Sequence, residues 1–221
     1  MSSNSHPVIR SSVLLGVIAL LGTALLAGVN ELTYERIIEQ EKRRVLQQLN
    51  EIVPVTSFNN DLLEDVIEIE DEASFRHSAP VKVYRARMDD LPVAVMMLVT
   101  APDGYNGDIR LLAGIDAAGT VLGVRVISHR ETPGLGDPIE AEKSDWIHGF
   151  TKKSLSNPEA DGWKVKRDGG QFDQFTGATI SPRAIVRAVH NTLLYFEANR
   201  ELLFAPPSIT EPTEMAKQNG Q

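Results

Sequence analysis

Val81–Met88 (VKVYRARM), Pro92–Ala101 (PVAVMMLVTA), Ile109–Ala117 (IRLLAGIDA) and Val121–Ser128 (VLGVRVIS) are four successive runs rich in β-branched residues. Turn signals divide them at Asp89-Asp90, Asp103-Gly104, Asn106-Gly107 and Ala118-Gly119. Connections this short cannot carry a crossover helix, so the runs read as an antiparallel meander. Downstream the pattern predicts a short helix over 139–150, a strand over 163–167 and a strong helix from Pro182 to about Asn199. Upstream, Leu32, Ile37, Ile38, Val45, Leu46, Leu49, Ile52 and Val53 recur at helical spacing until Pro54 ends the pattern. This order of elements predicts an α+β fold, a sheet with flanking helices, rather than a doubly wound one.

The run Val13–Val29 holds no charge and no proline, and Thr23 is its only polar residue. At 1.5 Å per residue it nearly crosses a hydrocarbon core of about 30 Å. A signal peptide has a shorter apolar core and a small-x-small cleavage site, and Leu25-Leu26-Ala27 fits that poorly. The expected organisation is a short N-terminal segment (1–10), one membrane-spanning helix (11–29), a helical stalk (30–54), a folded domain (55–204) and a loose Pro- and Glu-rich tail (205–221). Charge does not orient the span. Arg36, Lys42, Arg43 and Arg44 follow it, but among Glu31, Glu35, Glu39 and Glu41, and large domains translocate largely regardless of charge.

The 221 residues carry a formal net charge of -8, which argues against nucleic acid as a partner. There is no cysteine, so disulfides, thiolate metal sites and cysteine-ligated clusters are excluded. His6, His77, His129, His148 and His190 have no metal-site spacing, and no metal site is expected.

Two stretches carry chemistry. Asp173-Gln-Phe-Thr-Gly-Ala-Thr-Ile-Ser-Pro182 ends as a helix start, with Ser181 as the expected N-cap and Pro182 at the first helical position. Gly177 and Ala178 let backbone approach a bulky group, and a helix N-terminus favours a phosphate. By itself this also describes an ordinary loop and cap. Ser128-His-Arg-Glu-Thr-Pro-Gly-Leu-Gly-Asp-Pro138 follows a strand and turns at Pro133-Gly134, and could equally be a surface turn or a backbone wall for a planar ring.

Together, Thr100–Gly107, Glu131–Gly136, Ser144–Trp146 and Phe172–Thr179 make the chain resemble the G subunit of the Rnf (Rsx) electron transport complex. More broadly it resembles the covalent FMN-binding domain shared with the C subunit of the sodium-pumping NADH:quinone reductase. Asp173, Thr176, Gly177, Ala178, Thr179 and Ser181 match that family's pattern Asp-x-x-Ser/Thr-Gly-Ala-Thr-x-Ser/Thr. The resemblance implies FMN joined through its phosphate to Thr179 by a separate flavin transferase that uses FAD and magnesium. It implies a bacterial inner-membrane protein with its flavin domain on the periplasmic side, exchanging electrons with other subunits of an ion-translocating complex. Thr176, Gly177, Ala178, Ile180 and Ser181 are then expected near the phosphate. Glu131, Thr132, Pro133, Gly134 and Leu135 are expected near the ring, where Trp146 could stack, and Asp173 is expected to serve the transferase. No residue is expected to act as a catalytic acid or base. Two other readings stay open: an anchor or assembly protein without cofactor, and an enzyme with dissociable FMN.

Overall fold

The computed structural model describes residues 5–206, and within its first helix the side chains of residues 10–25, 43 and 45 onward. The chain divides into two units, residues 1–47 and 48–221. Helix α1 (Ser5–Ile52) supplies the first unit and, with its last residues, enters the second.

In the first unit, Val13, Leu14, Leu15, Val17, Ile18, Leu20, Leu21 and Leu25 are all exposed. Thr23 donates its hydroxyl to the Ala19 carbonyl at 2.9 Å, so its polar side chain is satisfied within the helix. Among the described residues no helix is long and apolar enough to cross a membrane. The expected spanning helix over 11–29 runs past these residues, since the side chains of 26–29 lie outside the described ones. The side chains of Leu32, Ile37 and Ile38 in the expected stalk lie outside the described residues, as does the expected tail from residue 207.

The second unit is a five-stranded antiparallel sheet in the order β1-β2-β3-β4-β5, with each strand paired to the next in sequence. β1 is Val66–Ile69, β2 Val81–Met88, β3 Leu91–Ala101, β4 Ile109–Asp116 and β5 Val121–Ser128. The meander therefore stands as expected, with one added edge strand. β1 is four residues between acidic neighbours, too short to show a period. A single helical turn, α2 (Glu72–Phe75), follows it, capped by the Asp71 carboxylate accepting from the Ser74 N–H at 2.9 Å. Asp89 and Asp90 take φ values of 51° and 63° and close the β2–β3 hairpin with the positive-φ turn that matches strand twist.

Alternation gives the sheet two buried faces. Val83, Val95, Met97, Leu111, Ala113 and Ile115 meet Ile185, Val189, Leu193 and Phe196 of helix α3 (Ile180–Phe204). Burying each of these helix side chains stabilises by about 1.5–3 kcal/mol. On the opposite face the end of α1 comes close: a Cβ on Gly114 would lie 2.2 Å from the Ile52 Cγ2 atom, and one on Gly123 3.7 Å from it. The two glycines make the groove that seats Ile52.

Three expected elements differ. The helix over 139–150 is two separate 3-10 turns, Asp137–Ile139 and Asp145–Phe150, because Ser144 restarts the chain by accepting from the Trp146 N–H. The strand over 163–167 is a single parallel bridge, Val165 to Phe172. There Gly170 passes so close to Lys164 that a Cβ would sit 2.0 Å from its carbonyl oxygen, leaving no room for a regular ladder. The last helix starts at Ile180, and it continues past Asn199, whose φ of -125° marks a kink, to Phe204. A buried ion network holds that end. Arg85 and Arg87 pair with Asp65, and both donate to the Ala205 carbonyl, at 2.7 and 2.8 Å.

Candidate functional site

The turn Phe175–Ala178 brings the chain into α3. Gly177 holds φ at 84°, a conformation that costs a non-glycine residue steric energy, and the Ala178 N–H donates to the Phe175 carbonyl at 3.2 Å. Thr179 then occupies the N-cap position expected of Ser181, with φ -88° and ψ -23°. An N-cap threonine ordinarily has extended backbone and accepts from the first turn. Thr179 is already helical and its side chain makes no capping bond. The N–H groups of Ile180 and Ser181 have no intrahelical acceptor at this position, and Pro182 has no N–H to satisfy. The helix thus begins with an uncommitted hydroxyl beside unpaired donors at its electropositive end.

Ser181 turns inward. Its hydroxyl donates to Glu131 Oε2, and both residues are buried. Glu131 Oε1 accepts from the Asn106 N–H at 3.1 Å, and the Asn106 side chain donates to the Thr132 hydroxyl at 3.2 Å. The segment Thr132–Gly136 is a tight turn in which the Leu135 and Gly136 N–H groups both donate to the Thr132 carbonyl. Behind it, Asp137 Oδ1 accepts from the Gly134 N–H at 2.6 Å and Oδ2 from Lys143 at 2.7 Å. The Lys143 ammonium, with the Gly134 N–H, holds the Asp137 carboxyl below the ordinary aspartate range, and Lys143 is raised in turn. Burial works to raise Glu140, but the bonds from His129 and Lys143 outweigh it and leave Glu140 lowered.

These loops enclose a cleft of about 380 Å³ lined by Tyr105, Glu131, Thr132, Leu135, Gly136, Gly177, Ala178, Thr179, Ile180 and Ser181. That volume falls in the range of cofactor and small-ligand sites, about 300–1,000 Å³. Tyr105, Leu135 and Ile180 present exposed apolar surface to it. The cleft suits a planar apolar ring with an anionic tail directed at the start of α3.

Of the residues singled out in the sequence, Glu131, Thr132, Leu135, Gly177, Ala178, Thr179, Ile180 and Ser181 meet in this cleft. Pro133 and Gly134 stand in the same turn without lining it, and Thr176 is exposed in the turn before α3. Asp173 is also outside: its carboxylate pairs with Lys166 at 2.6 Å and its carbonyl accepts from Trp146 Nε1 at 2.8 Å. Trp146 meets Phe150 and Phe175 edge-on, within the domain's aromatic cluster. Tyr105, Asn106 and Gly136 lie in stretches that the sequence singles out, Thr100–Gly107 and Glu131–Gly136, but none is among the residues expected at the flavin. The signal lies in the Asn106-Gly107 turn and the second glycine of Gly-Leu-Gly, but Asn106 meets Glu131 and Thr132, and Gly136 meets Ser181, only once the chain has folded. Among the described residues no cluster of His, Asp or Glu is placed to hold a metal ion.

Residues 104–194 match the FMN-binding domain family, and these residues contain every segment of the cleft. The chain thus carries an FMN-binding domain on a mixed helix and antiparallel-sheet fold. Residues 1–52 match the RnfG N-terminal region. The chain is 48% identical to the G subunit of the ion-translocating oxidoreductase complex of Shewanella loihica over 204 residues, 92% of this chain and 96% of that protein. It is 48% identical to the equivalent protein of Pseudomonas aeruginosa over 205 residues, with 93% and 96% covered. That of Pseudoalteromonas atlantica is 43% identical over 198 residues, 90% of this chain and 92% of that protein. The chain belongs to the RnfG family, the G subunits of ion-translocating oxidoreductase complexes.

Proposed function

We propose that this protein carries its FMN covalently, through a phosphoester to the Thr179 hydroxyl, and uses it to pass electrons between other subunits of the complex. The observation that carries this reading is Thr179: it lines the cleft at the N-terminus of a 25-residue helix, and its side chain makes no capping bond. FMN supplies one- and two-electron redox chemistry when bound; the chain supplies position and electrostatics. The Ile180 and Ser181 N–H groups and the helix dipole favour the phosphate, Gly177 and Ala178 give it room, and Leu135, Tyr105 and Ile180 offer apolar surface to the ring. Attachment balances as transfer of the FMN phosphoryl group from FAD to the threonine oxygen, with AMP leaving and the hydroxyl proton lost. A flavin transferase using magnesium performs it. Asp173, outside the cleft and solvent-exposed, is available to that enzyme rather than to the bound flavin.

The exposed apolar side chains of residues 13–25 support association of the N-terminal segment with the hydrocarbon of the bacterial inner membrane, and the flavin domain faces the periplasm. A covalent link prevents loss of the cofactor there.

Mass spectrometry of denatured full-length protein, co-produced with a flavin transferase, tests the attachment. The native chain gains the mass of FMN less one water, and Thr179→Ala stays folded without it. Flavin released on acid precipitation, or retained by the alanine variant, overturns the assignment.

A further inference from the structure

Glu131 is a buried carboxylate, 4% exposed, that lines the cleft and has no ion-pair partner among the described residues. Burying such a group without a cation is costly, so its hydrogen bonds must hold it. Each oxygen has a donor from a different segment: Ser181 at the start of α3 for Oε2, and the Asn106 N–H in the β3–β4 connection for Oε1. Its own N–H donates to His129 Nδ1 at 3.0 Å. Two glycines make the space. A Cβ on Gly136 would lie 3.0 Å from Glu131 Oε2 and 2.9 Å from Ser181 Oγ, and one on Gly104 would lie 3.0 Å from Oε1.

Resting on the reading of this cleft as the flavin site, we propose that Glu131 is a positioning residue, whose carboxylate draws the Ser181 hydroxyl inward and so fixes the first turn of α3, with Thr179 presented and the helix end left open for a phosphate. A serine at the second helical position is otherwise free to bond locally with backbone polar groups. The Glu131 bond commits it to the domain interior. Three segments distant in sequence thereby share one anchor, and the angle at which Thr179 enters the cleft follows from it.

Hydrogen exchange on full-length protein made without the transferase reads the device directly. Glu131→Gln keeps the size of the side chain but turns an amide donor toward one of the two donors. In this variant, exchange at the Arg183, Ala184 and Ile185 amides accelerates about tenfold, the scale of one hydrogen bond to a charged group, while the β3 and β4 amides do not change. Flavin load, measured by mass after co-production with the transferase, falls in Glu131→Gln and Ser181→Ala. It is retained in Ser181→Thr, which keeps the hydroxyl, and the double variant Glu131→Gln with Ser181→Ala is no worse than the poorer single one. Unchanged exchange in Glu131→Gln, or fully additive losses, overturns the proposal. Should Glu131→Gln not fold, the Ser181 pair decides: equal load in the alanine and threonine variants overturns it. Absence of flavin mass from the native chain would refute the attachment reading instead, and the exchange result would still decide the role of Glu131.

Discussion

The Thr179 hydroxyl differs from an ordinary capping hydroxyl in the backbone that carries it. With ψ at -23° the residue is already inside the helical region, so its side chain cannot do what an extended N-cap does. Gly177, at φ 84°, is the residue that permits this entry. Gly177→Ala is expected to cost about 1–2 kcal/mol for the positive φ alone, read as a lowered midpoint in urea, and to reduce flavin load in parallel. Elsewhere in the domain His190 stacks on Trp163 with ring centres 5.3 Å apart and planes 4° from parallel. Burial pushes its imidazole below the ordinary histidine value. The folded state therefore binds this proton less readily than the unfolded chain. Its contribution to stability is fully present above about pH 6.5 and is lost as pH falls toward the folded value. Denaturation of the domain at pH 7.5 and 5.5 is expected to show this loss in the native chain and a smaller one in His190→Gln.

Elements meet here through missing side chains as much as through present ones. Gly114 and Gly123 form the groove for Ile52, so Gly114→Ala places a methyl where Ile52 Cγ2 stands. Such overpacking is expected to destabilise by about 1–3 kcal/mol, and Ile52→Ala in the same chain to recover part of it. A double-mutant cycle in urea measures that coupling. The far end of α3 depends on charge instead. Arg85 is 3% exposed and Arg87 6%, and the Asp65 carboxylate pairs with both. Asp65→Ala leaves two buried guanidinium groups with backbone carbonyls alone and is expected to cost about 3–5 kcal/mol, detected as a fall in the thermal midpoint. Through the Phe204 and Ala205 carbonyls the same change loosens the C-terminal turn of α3 while its N-terminal turn, held by Glu131, stays.

Across the whole chain, two units divide the work. The first is one helix whose described apolar side chains, from Val13 to Leu25, are exposed. The second holds the cleft and all its supports. On the proposed association of residues 13–25 with membrane hydrocarbon, Leu20→Arg combined with Leu21→Arg is expected to move the protein to the soluble fraction, since each arginine placed there costs about 3 kcal/mol. The unfolding midpoint of the flavin domain is expected not to change, because neither residue belongs to it.

Sequence alone determined the meander, because alternation and turn chemistry act between neighbours, and it placed α3 and the Asp173–Ser181 motif for the same reason. Periodicity overreached where local signals met long-range ones: 139–150 broke at Ser144, 163–167 yielded to the Gly169-Gly170 crossing, and α3 outran Asn199 because Arg85 and Arg87 wait at its end. The shape of the cleft was decided only in three dimensions. A carboxylate at 131, a hydroxyl at 181 and an amide at 106 have no relation along the chain. Folding makes them one site, because a buried charge must be satisfied by whatever donors the packed domain brings to it.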